Sequence, residues 1–354
     1  MLKVGVIGLH RGLSLLRVFA LQKDIQVVAA CDINEERAAS VKDQMGLEAA
    51  YADYDEFLGH DMDIVVVATP LPFHVSNSIA ALESGKHVLC EVPAANSIEE
   101  CKLLAKAVEK NKSKYMLAEN CCYWYFVEKW REIAADGRIG KPIYAEAEYV
   151  HDCRNIMRDS DGRLTWRASM PPIQYCTHSL GPILSVINDR CVSAVGMNTG
   201  VNIAPELGAI DMEVGLFRTE NGAVIKILCG FSVEREPAFH YYSIYGTEGC
   251  LETVRSTDKN IAYFRDTSSR GMTELPYTRN HPKASRSATV GGHGTCEYFM
   301  VNAFIESIVN DTKPPIDVYE GLDYSLPGLC AHISAQQNGK VVDIPDLRVE
   351  PIAG

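Results

Sequence analysis

The stretch KVGVIGLHRG, residues Lys3 to Gly12, decides the fold of this chain. It joins an apolar run typical of a buried strand to a glycine-bearing turn, and a helical pattern follows from Leu13 to Gln22. In a doubly wound α/β domain, this turn is where backbone N–H groups and the helix dipole hold a pyrophosphate. Against the pattern G-x-G-x-x-G, Gly8 matches, His10 replaces the second glycine, and Gly12 falls one place before the third. A tight strand-to-helix turn that needs glycine for its backbone angles stays open as the alternative.

Short β-branched runs alternate with helical patterns over the first 120 residues, which is typical of a parallel sheet covered on both faces. Ser97 and Glu100 form a predicted capping box at the start of the fourth helix. The pattern predicts an N-terminal Rossmann domain over residues 1–120, with a doubly wound parallel sheet. The predicted strands are Lys3–Ile7, Gln26–Cys31, Ile64–Ala68, His87–Cys90 and Tyr115–Ala118, and the predicted helices are Leu13–Gln22, Glu35–Gln44, Val75–Ser84 and Ile98–Lys110.

The remainder, residues 121–354, shows longer alternating runs joined by turn residues, which predicts a C-terminal α+β domain with a large open, mainly antiparallel sheet. We expect this domain to bind substrate. One face of an open sheet stays exposed unless another protein surface packs on it. We therefore also expect a homo-oligomer, a dimer or tetramer, formed through the outer face of this sheet. The predicted strands are Ile143–Val150, Val192–Met197, Met212–Thr219, Ala223–Gly230, Tyr241–Tyr245 and Ile261–Arg265, and the predicted helices are Glu297–Val309 and Tyr319–Gln337.

Composition excludes several classes of protein. The formal net charge of −12 argues against a nucleic-acid partner, because phosphate backbones are bound by clustered Lys and Arg. The longest apolar stretch, Ile64–Ala68, is far too short to cross a bilayer, so we expect no membrane association. The first strand begins at Leu2 and leaves no room for a signal peptide, which predicts a cytoplasmic protein. The 12 cysteines are scattered through apolar runs without metal-site spacing, so no metal is expected.

The cofactor prediction rests on residues at the carboxyl ends of the predicted strands. Asp32 lies twenty residues beyond Gly12, where a carboxylate can accept hydrogen bonds from both ribose hydroxyls of NAD. The same charge repels a ribose 2′-phosphate, which disfavours NADP unless the following loop folds an arginine inward. A solvated N-cap is the alternative role for Asp32. The predicted cofactor-binding residues of this region are Gly8, His10, Arg11, Gly12, Asp32, Thr69, Pro70 and His74.

A second group of polar residues lies in the C-terminal half. The side chain of His178 has an ordinary pKa suited to general base chemistry near neutrality, and Tyr175 precedes it by three residues. Both side chains can therefore lie on one face of a turn. A purely structural histidine in the first turn of a helix remains the alternative.

The chain resembles the Gfo/Idh/MocA oxidoreductase family in the order and spacing of several motifs. These are the glycine turn, Ala68-Thr69-Pro70 with His74, Cys90-Glu91-Val92-Pro93, and Glu119-Asn120 with Tyr123. The segment Tyr175–Pro182 further resembles the motif of glycoside hydrolase family 109, the NAD-dependent glycosidase branch. The same branch is similar in Trp166-Arg167, Gly292-His293-Gly294 and Asp317-Val318-Tyr319.

This resemblance implies roles for particular residues. Plain dehydrogenases of the family carry a lysine where this chain has Val92, so the proton-transfer groups must come from elsewhere. The resemblance implies His178, Tyr175 and Tyr123 as catalytic residues. It places Glu91 near the nicotinamide ribose and Asn120 near the ring of a bound NAD. It makes Arg167 and His293 candidate contacts to a carbohydrate substrate.

Three functions stay open. The first is glycoside cleavage by oxidation, elimination, hydration and reduction with a retained NAD. The second is a conventional NAD-dependent sugar or inositol dehydrogenase, and the third is a catalytically silent sensor that binds NAD or a sugar. The convergence of several titratable residues favours an enzyme. The weakened glycine turn, and Pro171-Pro172-Ile173-Gln174 in place of the branch's usual glycine-asparagine stretch, leave the sugar undefined.

Overall fold

The computed structural model describes residues 1–235, 239–255, 261–269 and 271–349. Its described residues divide into two compact units. The first contains Met1–Tyr123 and Asn280–Leu322, and the second contains Trp124–Arg279 and residues 323–349. The sequence analysis assigned everything after residue 120 to the second domain, whereas contacts join residues 280–322 to the first unit.

The first unit is built on a parallel sheet with the strand order β3-β2-β1-β4-β5-β6. Its central strand β4 is completely apolar, and every residue of Ile64–Val67 is fully buried. Burial on both faces is what a parallel sheet covered by helices requires. The described elements are β1 Leu2–Ile7, α1 Leu9–Phe19, β2 Ile25–Cys31, α2 Glu35–Met45, β3 Ala49–Tyr51, α3 Tyr54–Leu58, β4 Ile64–Val67, α4 His74–Glu83, β5 His87–Cys90, α5 Ile98–Lys110, β6 Tyr115–Leu117 and α9 Cys296–Val309.

The second unit contains a long sheet with the order β14-β13-β12-β11-β7-β10-β9-β8-β15. Its pairings in the described residues are antiparallel except that of β7 with β10, which is parallel. The described elements are α6 Tyr125–Ala135, β7 Pro142–Val150, α7 Trp166–Ser169, α8 Thr177–Ile187, β8 Cys191–Asn198, β9 Met212–Thr219, β10 Val224–Gly230, β11 Phe239–Gly246, β12 Gly249–Thr253, β13 Ile261–Asp266, β14 Thr273–Pro276 and β15 Val342–Asp343. The last helix, α10, spans Val318–Gln336.

One face of this second sheet is covered and the other is open. Helix α8 packs against β7 and β11. Alternate residues of β7 and β10 are buried, among them Ala145, Ala147, Ile225 and Ile227. The residues between these buried positions point to the other face of the sheet. Apolar and charged side chains both occur there, as expected of an antiparallel sheet with one solvated face.

The predicted fold class is confirmed: a Rossmann sheet is followed by a large, mainly antiparallel sheet. The main local difference is the start of α1, which begins at Leu9 and not at Leu13. The strands β3, β12, β14 and β15 and the helices α3, α6 and α7 were not predicted, and α8 was considered only as the alternative setting of His178. Among the described residues, no helix combines the length and apolar character needed to cross a membrane.

Candidate functional site

The glycine turn of the first unit is shorter than the sequence indicated, because helix α1 starts directly after Gly8. Gly8 has φ of 85°, and a Cβ atom there would lie 2.5 Å from the carbonyl oxygen of Ala68. A Cβ on Gly12 would lie 2.7 Å from a methyl carbon of Val6. Both positions therefore need glycine, the first for its backbone angles and the second for close helix–strand packing. His10 is exposed on the first turn, where N–H groups have no intrahelical acceptor.

Asp32 follows β2 and is held by three donors. Its Oδ2 atom accepts from the N–H of Leu9 at 2.9 Å, and its Oδ1 atom accepts from the N–H of Asn34 at 2.9 Å. The Nη1 atom of Arg37 lies 3.2 Å from Oδ2 and 3.3 Å from Oδ1. The carboxylate is thus oriented at the carboxyl end of its strand, with its charge partly balanced by an arginine from α2.

Arg11 lies at the centre of a charged network within the first unit. Its Nε atom donates to Glu91 at 2.7 Å, and its Nη2 atom donates to Glu297 at 2.8 Å. Burial opposes the charged form of Arg11, but Glu91 and Glu297 outweigh it and raise the pKa of the guanidinium. Arg11 and Glu91 were both predicted to bind the cofactor, and the structure joins them directly.

Glu297 also connects His293 to this network. Its Oε1 atom lies 2.7 Å from Nδ1 of His293, and its Oε2 atom accepts from the N–H of His293 at 3.2 Å. The side chain of Glu297 is fully buried. Burial raises the pKa of Glu297, but His293 and Arg11 outweigh it and the pKa is lowered. The sequence analysis missed Glu297, although its position four residues after His293, on a helix, was a usable signal.

His74 is buried between two loops of the first unit. Its Nδ1 atom lies 2.8 Å from the carbonyl oxygen of Pro93, and its Nε2 atom lies 2.8 Å from that of Thr69. Because both partners are acceptors, both ring nitrogens must donate, which requires the imidazolium form. Burial lowers the pKa of His74, but Cys90 and the two carbonyl groups outweigh it and raise the pKa to about 9. His74 therefore ties the loop of Thr69 and Pro70 to the loop of Pro93.

The remaining predicted residues of the first unit follow β5 and β6. Val92 is buried, and its isopropyl group carries no proton for catalysis. Glu119 accepts from the N–H of Cys121 at 3.1 Å. Asn120 is buried and Tyr123 is half-buried, and they are the two ends of the 3-10 helix Asn120–Tyr123. These side chains lie at the carboxyl edge of the parallel sheet, where ligands of such sheets bind.

In the second unit, Tyr175 and His178 lie side by side. Tyr175 ends the 3-10 helix Pro172–Tyr175, and His178 lies in the first turn of α8. Their ring centroids are 5.2 Å apart, with the rings nearly perpendicular. The imidazole and the phenol are therefore close enough to share one substrate, as their spacing predicted.

Two further residues surround this pair and were missed by the sequence analysis. Tyr149 on β7 has its ring 5.6 Å from that of His178 and 6.3 Å from that of Tyr175. The ring of His240 on β11 stacks on Tyr149 at 4.4 Å. Their side chains share a face because β7 and β11 pair with His240 opposite Tyr149. Strand alternation could place each residue on a face, but only the pairing brings them together.

Arg167 lies close to Tyr175 in the same unit. Its guanidinium carbon is 4.5 Å from the ring centre of Trp166 and 5.7 Å from that of Tyr175. Contact with aromatic faces leaves the N–H edge of a guanidinium available to a ligand.

The predicted site residues are divided between the two units. Tyr123 and His293 belong to the first unit, and Tyr175, His178 and Arg167 belong to the second.

Three family models match the chain. Residues 2–119 match an oxidoreductase family with an NAD-binding Rossmann fold. Residues 127–252 match the Gfo/Idh/MocA C-terminal domain, and residues 202–349 match the glycosyl hydrolase 109 C-terminal domain. The two Gfo/Idh/MocA models together match more than half of the chain.

Similar proteins extend over nearly the whole chain. A glycosyl hydrolase family 109 protein of Solibacter usitatus (strain Ellin6076) is 28% identical, with 97% of this chain and 87% of the relative covered. One of Streptomyces niveus is 28% identical, with 97% of this chain and 77% of that protein covered. The structure of levoglucosan dehydrogenase with NADH and L-sorbose has a TM-score of 0.84 at 20% identity, and covers 99% of this chain and 100% of that one. This structural likeness shows a shared fold.

Proposed function

Because the chain belongs to the Gfo/Idh/MocA oxidoreductase family and carries its NAD-binding Rossmann domain, we propose that it acts by hydride transfer on a glycoside. The proposed reaction is cleavage by oxidation, elimination, hydration and reduction. The similarity to glycosyl hydrolase 109 in the C-terminal half supports this reaction. The observation that carries the proposal is the contact between the rings of His178 and Tyr175, in a chain whose Val92 replaces the usual lysine.

The residues at the carboxyl edge of the first sheet fit NAD. Gly8 supplies the left-handed backbone angles of the turn and Gly12 lets α1 pack closely on Val6, so that α1 begins directly after β1 and a pyrophosphate can approach its first-turn N–H groups. Asp32 is the candidate residue for the adenosine ribose, and Glu91 and Asn120 are the candidates beside the nicotinamide. When bound, the nicotinamide supplies the acceptor and then the donor of a hydride.

Three side chains supply the proton chemistry in this proposal. His178 accepts the proton of the hydroxyl group being oxidised, and Tyr175 orients the imidazole or relays that proton. Tyr123 is the candidate base for the neighbouring C–H group. A general base typically increases the reaction rate by about 10²–10⁴. Replacing His178 should therefore lower the turnover rate far more than a change in packing would.

The test is incubation of the purified protein with aryl and methyl glycosides in D2O without added NAD. We expect release of the aglycone, with deuterium incorporated next to the oxidised carbon. His178→Asn should abolish release, while Ser185→Ala on the same helix should retain it. NADH accumulating only with added NAD+, without aglycone release, would establish a conventional sugar dehydrogenase. No turnover of either kind would leave the silent sensor.

We also propose that the open sheet face forms a homo-oligomer, a dimer or tetramer. Met197, Leu216 and Tyr245 lie on this face and are 62%, 46% and 37% exposed. Exposed apolar side chains on an open sheet face favour contact with a second protein surface. Leu216→Asp should lower the molar mass measured by light scattering, while Leu103→Asp on α5 should not.

A further inference from the structure

We propose that Arg11 and Glu297 are positioning residues of the NAD site, which hold Glu91 in place for the nicotinamide ribose. This role rests on the NAD site of the proposed function and not on the reaction proposed there. Arg11 was predicted to bind the cofactor, but its three guanidinium nitrogens all donate to oxygen atoms of the protein. All the residues concerned belong to the first unit.

The guanidinium of Arg11 connects three separate segments of the chain. Arg11 itself lies in the first turn of α1. Its Nε atom donates to Glu91, which follows β5, and its Nη2 atom donates to Glu297 in the first turn of α9. Its Nη1 atom donates to the carbonyl oxygen of Gly291 at 3.3 Å. One side chain thus joins the start of α1, the segment after β5 and the segment before α9.

The charge of this cluster argues against direct contact between Arg11 and a pyrophosphate. One positive guanidinium faces two negative carboxylates, so the three groups together are negative. The side chain of Glu297 is fully buried and that of Glu91 is 11% exposed, so salt and water screen these charges weakly. A second anion gains little by approaching such a cluster. Arg11 therefore serves the cofactor through the residues that it holds.

Glu91 is fixed at both oxygens of its carboxylate. Its Oε1 atom accepts from Nε of Arg11 at 2.7 Å, and its Oε2 atom accepts from the N–H of Val92 at 3.3 Å. A carboxylate has about four lone-pair sites, so the described contacts leave about two of them for hydroxyl donors. The two hydroxyl groups of a ribose are donors of this kind. Because the carboxylate is already oriented, the cofactor does not have to order it on binding.

Glu297 keeps the guanidinium of Arg11 in this position. Its Oε1 atom accepts from Nη2 of Arg11 at 2.8 Å and lies 2.7 Å from Nδ1 of His293, and its Oε2 atom accepts from the N–H of His293 at 3.2 Å. A Cβ atom on Gly291 would collide with Oε2 of Glu297, so the glycine lets this carboxylate approach the segment before α9. Without Glu297, the guanidinium loses the acceptor at its far end and its hold on Glu91 loosens.

The experiment measures the dissociation constants of NAD+ and ADP by calorimetry, after any retained nucleotide has been removed from the protein. Both ligands have a pyrophosphate, but only NAD+ has the nicotinamide ribose. We expect Glu297→Gln and Arg11→Lys to weaken NAD+ binding about 10-fold, the loss of one charge-assisted hydrogen bond, and to leave ADP binding unchanged. The controls Arg17→Lys and Glu306→Gln, at exposed positions of α1 and α9, should change neither constant.

Gly291→Ala tests the same role without removing a charge or a hydrogen-bonding side chain. The added methyl group should displace the carboxylate of Glu297 and also weaken NAD+ binding selectively. If Arg11 instead binds the pyrophosphate, Arg11→Lys should weaken both ligands equally. Glu297→Gln, which removes a competing carboxylate, should then tighten both. Either result, or unchanged NAD+ binding in all three variants, would overturn the positioning role.

Two further outcomes concern the wild-type protein. Failure to bind NAD+ would overturn the proposed function together with the positioning role. If the variants do not fold, a crystal structure of the wild-type protein with NAD decides the question. Arg11 should still contact Glu91 and Glu297, with Glu91 hydrogen-bonded to the nicotinamide ribose. A guanidinium nitrogen of Arg11 hydrogen-bonded to a phosphate oxygen would contradict the assignment.

Discussion

The hydroxyl group of Tyr242 donates a 2.5 Å hydrogen bond to the backbone carbonyl of His178. In an α-helix, that carbonyl would accept from the N–H four residues later, but this position is Pro182, which has none. The tyrosine thus replaces the donor that proline removes. This bond connects β11 to the first turn of α8, so it positions the residue that we propose as the base.

We predict that Tyr242→Phe lowers the free energy of unfolding by about 1 kcal/mol, because the carbonyl of His178 loses its donor. Pro182→Ala restores an N–H at that position, so the tyrosine substitution should cost less in its presence. A double-mutant cycle from chemical denaturation measures this coupling. Tyr263→Phe on β13 is the control for loss of a phenolic hydroxyl. Equal costs in both backgrounds would show that Pro182 is irrelevant to the bond.

We predict that Arg37 reduces discrimination between the two nicotinamide cofactors. Arg37 lies 3.2 Å from Asp32 and can turn toward a ribose 2′-phosphate. Arg37→Ala should therefore raise the ratio of the NADPH to the NADH dissociation constant by about 10-fold, the loss of one charge-assisted contact. Fluorescence titration measures both constants, with the exposed Arg17→Ala as control. An unchanged ratio would exclude a role for Arg37 in selectivity.

We predict that His74 makes stability fall at alkaline pH. Its pKa is about 9 in the folded chain, against an ordinary value of 6.5, so its contribution is complete below pH 6.5. That contribution is lost as pH rises through 9, and it amounts to about 3 kcal/mol. Urea denaturation between pH 6 and 10 should show this loss in the wild type and not in His74→Gln. Parallel profiles for the two proteins would contradict the imidazolium assignment.

We predict that Glu297→Ala lowers the free energy of unfolding by about 3 kcal/mol, because it leaves the Nη2 group of Arg11 without its acceptor in a largely buried site. His293 loses the same partner. Glu306→Ala, on the exposed side of α9, is the matched control and should change stability little. Chemical denaturation measures both variants. A similar small effect for both would mean that the network contributes no net stability.

Much of the first unit could be predicted because its signals are local. The run Ile64–Val67 is too apolar to be anything but buried, and Ser97 does cap α5 by accepting from the N–H of Glu100 at 3.1 Å. The start of α1 was placed too late because Gly12 resembles a turn residue. In the structure Gly12 lies inside the helix, where it permits close packing on Val6. Local patterns do not distinguish these two uses of glycine.

Part of the candidate site was also visible in local spacing. Tyr175 and His178 are three residues apart, so a helical turn brings their side chains to one face. Tyr149 and His240 are ninety-one residues apart, and their contact depends on the register of two strands. Glu297 was missed for a related reason: its partner Arg11 lies at the opposite end of the chain.

From its order of residues alone, the chain determines a Rossmann domain, a second large sheet and the proximity of Tyr175 to His178. Hydrophobic periodicity and turn chemistry act over a few residues, so these features need no knowledge of distant segments. The tertiary structure decided which charges meet, as at Arg11 and Glu297, and which charge has no counterion among the described residues, as at Arg167. Electrostatic pairing depends on distance in space, and spacing along the chain does not contain that distance.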